Sequence, residues 1–146
     1  MREYPVQAAH GCTQVSPDTP TFEIRRLQAL AEQLGDIQPV LRLCSTYLSM
    51  LPGRIMSIWN GLKEEDEDAT MTAVLSLKVS SAMVGALETE HQCRELELMI
   101  RDHHMGFVAQ ALPALQVYGE RCIAAGPQLL NQACESLGSG THSMDA

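Results

Sequence analysis

The stretch from Val74 to Ala86 constrains the fold most, because its spacing predicts a helix that is apolar on both sides. At about 100° per residue, one side carries small or branched groups suited to close packing inside a helical bundle: Thr70, Ala73, Val74, Leu77, Ser80, Ser81 and Val84. The opposite side carries one charge among apolar groups: Met71, Leu75, Lys78, Val79, Ala82 and Ala86. A helix of this kind is either fully enclosed or covered by a partner.

Helical spacing upstream of this stretch predicts two further helices. Thr21 is placed to cap the first, and Gly35 is placed to end it. Asp36 is placed to cap the second, which extends to about Leu62. The dipeptide Pro52-Gly53 interrupts this second apolar stripe, so we expect a kink or a short break there.

The acidic run 64–68 precedes the two-sided helix. Carboxylates at that place cap the free amides of a helix and favour its positive end, which we prefer over a metal or catalytic role. Gly85 is expected to end the helix, and 87–101 should form the next one. After an exposed turn at Asp102-His103-His104, residues 107–122 form the last helix of the bundle, bent by Pro113 and followed by a stop at Gly126-Pro127.

The chain of 146 residues is long enough for one domain with its own core. Hydrophobic residues make up 45% and aromatic residues only 4%, so the core must use Leu, Ile, Val, Met and Ala, a mixture that favours helices. The sequence therefore predicts an all-α protein. Three segments are expected: a flexible segment 1–20, a bundle 21–125, and a C-terminal extension and disordered tail 126–146.

A motif inside the two-sided helix is similar to the signature of histidine-containing phosphotransfer (HPt) domains of bacterial two-component phosphorelays. It runs Leu77-Lys78-x-Ser80-Ser81-Ala82-x-Val84-Gly85-Ala86. Cys93-x-x-Leu96-Glu97 resembles a motif on the family's next helix, and Leu51-Pro52 with Ile55 and Leu62 resembles its long second helix. The resemblance covers about 22–125 and implies an up-and-down four-helix bundle of the HPt type, with an additional short N-terminal helix.

Two positions depart from the family pattern. Leu75 stands where the family has its phosphoacceptor histidine, and Val79 stands where it has a glycine. A phosphoacceptor needs a nucleophilic ring nitrogen, which leucine lacks. Position i+4 lies on the same helix face, so Val79 fills space that the glycine leaves open. The family lysine, which helps neutralise phosphoryl oxygens, remains as Lys78. The resemblance thus implies a degenerate domain that does not relay phosphate at this place.

The first hypothesis for function is a protein-binding or regulatory module. The face that would dock the partner, here called the Leu75 face, consists of Met71, Leu75, Lys78, Val79 and Ala82. Its partner would be the receiver domain of a response regulator, a histidine kinase, or a second copy of the chain. A second hypothesis keeps phosphotransfer with another histidine, His91 above all, as acceptor. A third is a bundle unrelated to phosphorelays in which Leu75 is buried by its own chain.

Composition and motifs narrow the other classes of function. The formal net charge of −8 argues against nucleic acid or an anionic membrane as partner. Without an apolar run long enough for a membrane span, and without a secretion signal, we expect a cytoplasmic protein. The five cysteines are expected as reduced, mostly buried thiols. No nucleophile–base pair or metal-ligand spacing appears, so we expect neither an enzyme nor a bound cofactor or metal.

Overall fold

The computed structural model describes residues 21–145, and the side chains of residues 21–135. It confirms the predicted all-α class, since five helices and no strand occur in this part of the chain. They are α1 (Ile24–Leu34), α2 (Gln38–Lys63), α3 (Glu67–Val84), α4 (Leu87–Arg101) and α5 (Met105–Asp145). The predicted segment 1–20 lies outside the described residues.

Helices α2 to α5 pack as a bundle in which each contacts its neighbours in chain order, and α5 returns to α2. Short links connect them, which makes consecutive helices antiparallel. One core of aliphatic side chains runs through the bundle, including Leu51, Ile58, Leu77, Leu96 and Leu112, all fully buried. Trp59 packs against this core and is half-buried.

The start of α1 differs from the sequence prediction. Thr21 does not cap the helix, which begins at Ile24 after Glu23 in an extended conformation. The backbone N–H of Glu23 instead donates to the carbonyl of Gly85 at 2.7 Å, and the Thr21 hydroxyl donates to Glu88 at 3.3 Å. These contacts with distant parts of the chain hold 21–23 extended. As predicted, Gly35 ends α1, in the left-handed conformation.

Prolines affect α2 and α5 less than the sequence suggests. Helix α2 continues through Pro52 without the short break that was expected, and α5 continues through Pro113 and Pro127. All three prolines are exposed, so the carbonyl that each leaves unpaired can reach solvent. The expected stop at Gly126-Pro127 is therefore wrong for this helix. Leu129, beyond it, lies in the same core, while the division into domains stays a prediction.

The predicted ends of α3 agree with the structure, whereas the predicted cap of α2 lies one residue too early. Asp66, in the acidic run, caps α3 by accepting a hydrogen bond of 3.0 Å from the Ala69 N–H, and Gly85 ends α3 with a φ of 75°. Asp36 accepts from the Gln38 N–H at 3.0 Å, although the residue in the N-cap position of α2 is Ile37. None of the helices in residues 21–145 is both long and apolar enough to cross a membrane.

Candidate protein-docking face

The rotation of α3 in the bundle decides which of its two sides meets solvent. Thr70, Val74, Leu77, Ser81 and Val84 are buried, so the predicted inner side is confirmed. A buried hydrogen bond of 2.8 Å between the hydroxyls of Ser81 and Tyr47 links this side to α2. Burial of that pair in a core leaves few other rotations of α3 that satisfy both hydroxyls.

The Leu75 face lies on the opposite side of α3 and stays partly open among the described residues. Leu75, Met71 and Ala82 are half-buried, whereas 56% of Val79 is exposed. Met83, one turn beyond Val79, is 48% exposed and extends the apolar stripe. Leu75 is absent from the buried core, so residues 21–135 do not enclose it.

Lys78 lies beside this apolar stripe and is paired with α4. Its ammonium is 2.6 Å from Oε1 of Glu97, and Arg101 binds Oε2 of the same carboxylate at 2.5 Å. The hydrogen bond from Lys78 lowers the pKa of Glu97 most, the nearby positive charges add to the effect, and burial opposes it. Glu97 therefore stays ionised well into acid, and Lys78 is held by a carboxylate where the resemblance would have it serve a phosphoryl group.

A second ion-pair group borders the other end of the face. Glu90 accepts hydrogen bonds of 2.7 Å from both Arg26 of α1 and Arg94 of α4. Arg26 also donates to the backbone carbonyl of Ala82, a residue of the Leu75 face, at 3.1 Å. Glu90 and Glu97 are seven residues apart on α4, so they lie on one side of that helix, the side that faces α3. Two carboxylates thus fix α4 and α1 along the edge of the face.

Comparison with protein-family models, with curated proteins and with solved structures gives no match. The resemblance to HPt domains therefore rests on the motif residues of α3 and α4 themselves.

The histidines whose side chains the structure describes, His91, His103 and His104, do not form a reactive cluster. Nε2 of His91, the alternative phosphoacceptor, is shielded from solvent and has no hydrogen-bond partner within the described residues. His103 lies in the expected exposed turn, where Nδ1 is 2.9 Å from Oε1 of Glu67. His104 contacts the Phe107 ring instead. In the described part of the chain, no three His, Cys, Asp or Glu side chains are grouped to hold a metal ion.

The cysteines of the core are placed for packing. Burial raises the pKa of Cys93, in the Cys-x-x-Leu-Glu motif, to about 12, and the pKa of Cys44 and of Cys122 to about 11. A thiol with such a pKa is almost entirely protonated at neutral pH, and only the thiolate is a strong nucleophile. Cys44, Cys93 and Cys122 are therefore inert in the folded protein.

Sequence reasoning missed five residues near the Leu75 face: Arg26, Met83, Arg94, Leu98 and Arg101. Met83 could have been found by extending the spacing of Leu75 and Val79 by one more turn. Arg94 and Arg101 each follow a glutamate by four residues, the usual spacing of a helical ion pair. Leu98, which is 55% exposed, lies between these arginines on α4 and has no pattern in the sequence that sets it apart from a core leucine.

Proposed function

We propose that this chain is an HPt-like module of a two-component phosphorelay that has lost the ability to accept phosphate and acts by binding a protein through the Leu75 face. The observation that carries the proposal is Leu75 itself. It occupies the histidine position of the HPt-like motif, and it lies on a half-open, largely apolar helix face. The helical bundle provides a rigid platform for such a face.

The physical argument for binding is the cost of leaving this face uncovered. Leu75, Val79 and Met83 follow one another at one-turn intervals, so their apolar surfaces are continuous along α3. Full burial of an exposed side chain of this kind is worth about 1.5–3 kcal/mol, and roughly half of that is left to gain at these half-exposed residues. Both departures from the family pattern, a leucine for histidine and a valine for glycine, add apolar surface at the same place. The leucine removes the nitrogen that would accept phosphate, and the leucine and the valine both enlarge the apolar surface available to a partner.

The expected partner is a receiver domain of a response regulator or a histidine kinase, since the resemblance is to domains that dock on them. A module that occupies this docking site without carrying phosphate would compete with active relay proteins or hold components together. The enclosed Nε2 of His91 argues against phosphate acceptance at the alternative histidine, because a phosphoryl donor must reach that nitrogen.

The test is binding of the purified chain to purified receiver domains and kinase cores, measured by calorimetry. Leu75→Asp should weaken binding at least about tenfold, because it places a charge in an apolar interface. Val117→Asp is the matched control, since Val117 is a partly exposed apolar residue of α5, away from the face. Equal binding by wild type and Leu75→Asp, with both proteins folded by circular dichroism, would show that the Leu75 face is not the interface.

A second measurement tests the loss of phosphotransfer. The wild-type chain is incubated with a phosphorylated receiver and examined for an acid-labile, base-stable phosphoryl adduct. We expect none. A stoichiometric phosphohistidine that disappears in His91→Gln would establish the alternative function.

A further inference from the structure

On the α4 side of the Leu75 face the charges that meet solvent are positive, although the chain as a whole carries −8. At the α1 end Arg26 is also paired with Glu23, at 3.3 Å, and both side chains are about one-third exposed. Four of its ten lysines and arginines are here: Lys78 in the face, and Arg26, Arg94 and Arg101, here called the arginine rim. The side chains of Arg94 and Arg101 are 59% and 62% exposed. Those of Glu90 and Glu97, to which they bind, are only 8% and 9% exposed.

The arginines lie above the buried glutamates because of their positions on α4. Glu90 and Glu97 share one side of α4, the side that faces α3. Arg94 and Arg101 follow each glutamate by four residues, which turns them about 40° further toward solvent. Glu88 lies on the side of α4 that faces α5, where its carboxylate pairs with Arg121 of that helix at 2.7 Å. The carboxylates of α4 therefore lie beneath the arginines or on the side of α5.

We propose that the Leu75 face takes a partner surface in which carboxylates surround an apolar centre, and not a second copy of this chain. This rests on the docking face of the proposed function and adds the chemistry of the partner. The apolar centre is matched by Leu75, Val79 and Met83 of α3, while the exposed Leu98 lies beyond the arginines on α4. The carboxylates are matched by Lys78 and the arginine rim.

The arginines are prepared for this role by the glutamates beneath them. A guanidinium has five N–H donors, and the bonds from Arg94 and Arg101 to Glu90 and Glu97 leave further donors directed at solvent. The bound carboxylate restricts the arginine rotamers, so less side-chain entropy is lost when a partner carboxylate binds. Arg–carboxylate pairs at an interface border give orientation and partner choice more than affinity.

Self-association through this face has the opposite electrostatics. In a two-fold symmetric dimer the same patch meets itself, so the arginine rim of one chain would face the arginine rim of the other. Like charges brought together in this way oppose association. Glu90 and Glu97 cannot relieve the repulsion, because both are already bound and lie beneath the arginines, and Glu23 is already paired with Arg26.

The probe is a pair of synthetic helical peptides with the same leucine stripe, flanked by glutamate in one and by lysine in the other. Backbone amide shifts of the ¹⁵N-labelled full chain are followed during titration. We expect the glutamate peptide to shift the signals of Val79, Met83 and Leu98 and to bind at least about tenfold more tightly than the lysine peptide. The net charge of the chain favours the lysine peptide, so this preference can come only from local charge.

The variant Arg94→Gln/Arg101→Gln should lower the affinity for the glutamate peptide about tenfold and weaken its salt dependence. Glu90 keeps Arg26 and Glu97 keeps Lys78, so both buried carboxylates remain paired in the variant. Arg25→Gln/Arg42→Gln removes the same charge from exposed arginines of α1 and α2 and should change little.

Three results would overturn the inference: equal binding of both peptides, unchanged binding by Arg94→Gln/Arg101→Gln, or a concentration-dependent dimer that Leu75→Asp abolishes. The outcome is separable from that of the proposed function. A preference for the glutamate peptide with no affinity for any receiver or kinase contradicts the phosphorelay role alone. An affinity for a receiver that is unchanged in Arg94→Gln/Arg101→Gln contradicts this inference alone.

Discussion

Lys78 of α3 donates a hydrogen bond of 2.6 Å to Glu97 of α4, and this contact joins the candidate docking face to the neighbouring helix. The carboxylate is also bound by Arg101. One glutamate therefore neutralises the cation that the HPt-like motif would offer to phosphate, and fixes the arginine that borders the face. The pair therefore affects both the packing of α3 on α4 and the charge at the face.

The first prediction is a loss of stability in acid that depends on Glu97. Its pKa is lowered in the folded state, so its contribution is complete above the ordinary glutamate value of 4.5 and is lost as the pH falls through the lowered folded pKa. Urea unfolding between pH 7 and pH 2.5 should show a declining free energy of unfolding over this window. Glu97→Gln should flatten the decline.

Glu32→Gln, at an exposed glutamate of α1, is the control and should follow the wild-type curve. Parallel curves for wild type and Glu97→Gln across the whole range would mean that the Lys78 pair does not stabilise the folded state.

The second prediction concerns restored chemistry. Leu75→His/Val79→Gly should accept a phosphoryl group from a phosphorylated receiver: an imidazole nitrogen bonds to phosphorus as the aspartyl oxygen leaves as carboxylate. Lys78 is three residues beyond position 75, on the same side of α3, where it can approach phosphoryl oxygens once it leaves Glu97. An acid-labile, base-stable adduct detected by mass spectrometry is the expected result.

Ile123→His is the matched control, because it places a histidine at a partly exposed apolar position of α5 with no cation one turn beyond it. If neither histidine variant acquires phosphate from receivers that phosphorylate other HPt domains, the likeness of α3 to an HPt signature has no functional meaning.

The third prediction uses the thiols. Iodoacetamide at pH 8 should leave Cys44, Cys93 and Cys122 unmodified in the folded chain, because burial both blocks access and raises their pKa to between about 11 and about 12. Cys134, which is exposed, should react. Peptide mass spectrometry measures each site, and labelling in denaturant is the control in which all four react. Rapid native labelling of Cys93 would show that α3 and α4 separate readily.

Much of α3 and α4 could be predicted from the sequence because their signals are local. Asp66 and Gly85 mark the ends of α3, and its buried residues recur at helical spacing. The position of Thr21 could not be predicted, because its partner Glu88 is 67 residues away. The continuation of α2 and α5 through proline also depends on tertiary burial, since packing of the flanking turns outweighs the hydrogen bond that is lost.

The candidate face also combines features that local sequence predicts with features that depend on distant contacts. The apolar stripe of Leu75 and Val79 is visible in the sequence, because side chains four residues apart share a helix face. The arginine rim is not, since Arg26 comes to the face through the Ala82 carbonyl and Glu90, which are 56 and 64 residues further along the chain. A sequence shows which charges share a helix, but the fold alone decides which carboxylates lie beneath which arginines.

The fourth prediction separates two glycines by their surroundings. At Gly85 the backbone has a φ of +75°, and an added Cβ would lie 2.6 Å from the carbonyl oxygen of Glu23, the residue that directly precedes α1. Gly85→Ala should therefore lower the free energy of unfolding by about 1–3 kcal/mol through strain and displacement of α1. At Gly53, inside α2, nothing lies within 4 Å of an added Cβ, so Gly53→Ala should raise it by about 0.5–1 kcal/mol. Denaturant unfolding of both variants measures the contrast, and equal effects would show that the junction of α1 with the end of α3 is not a rigid contact.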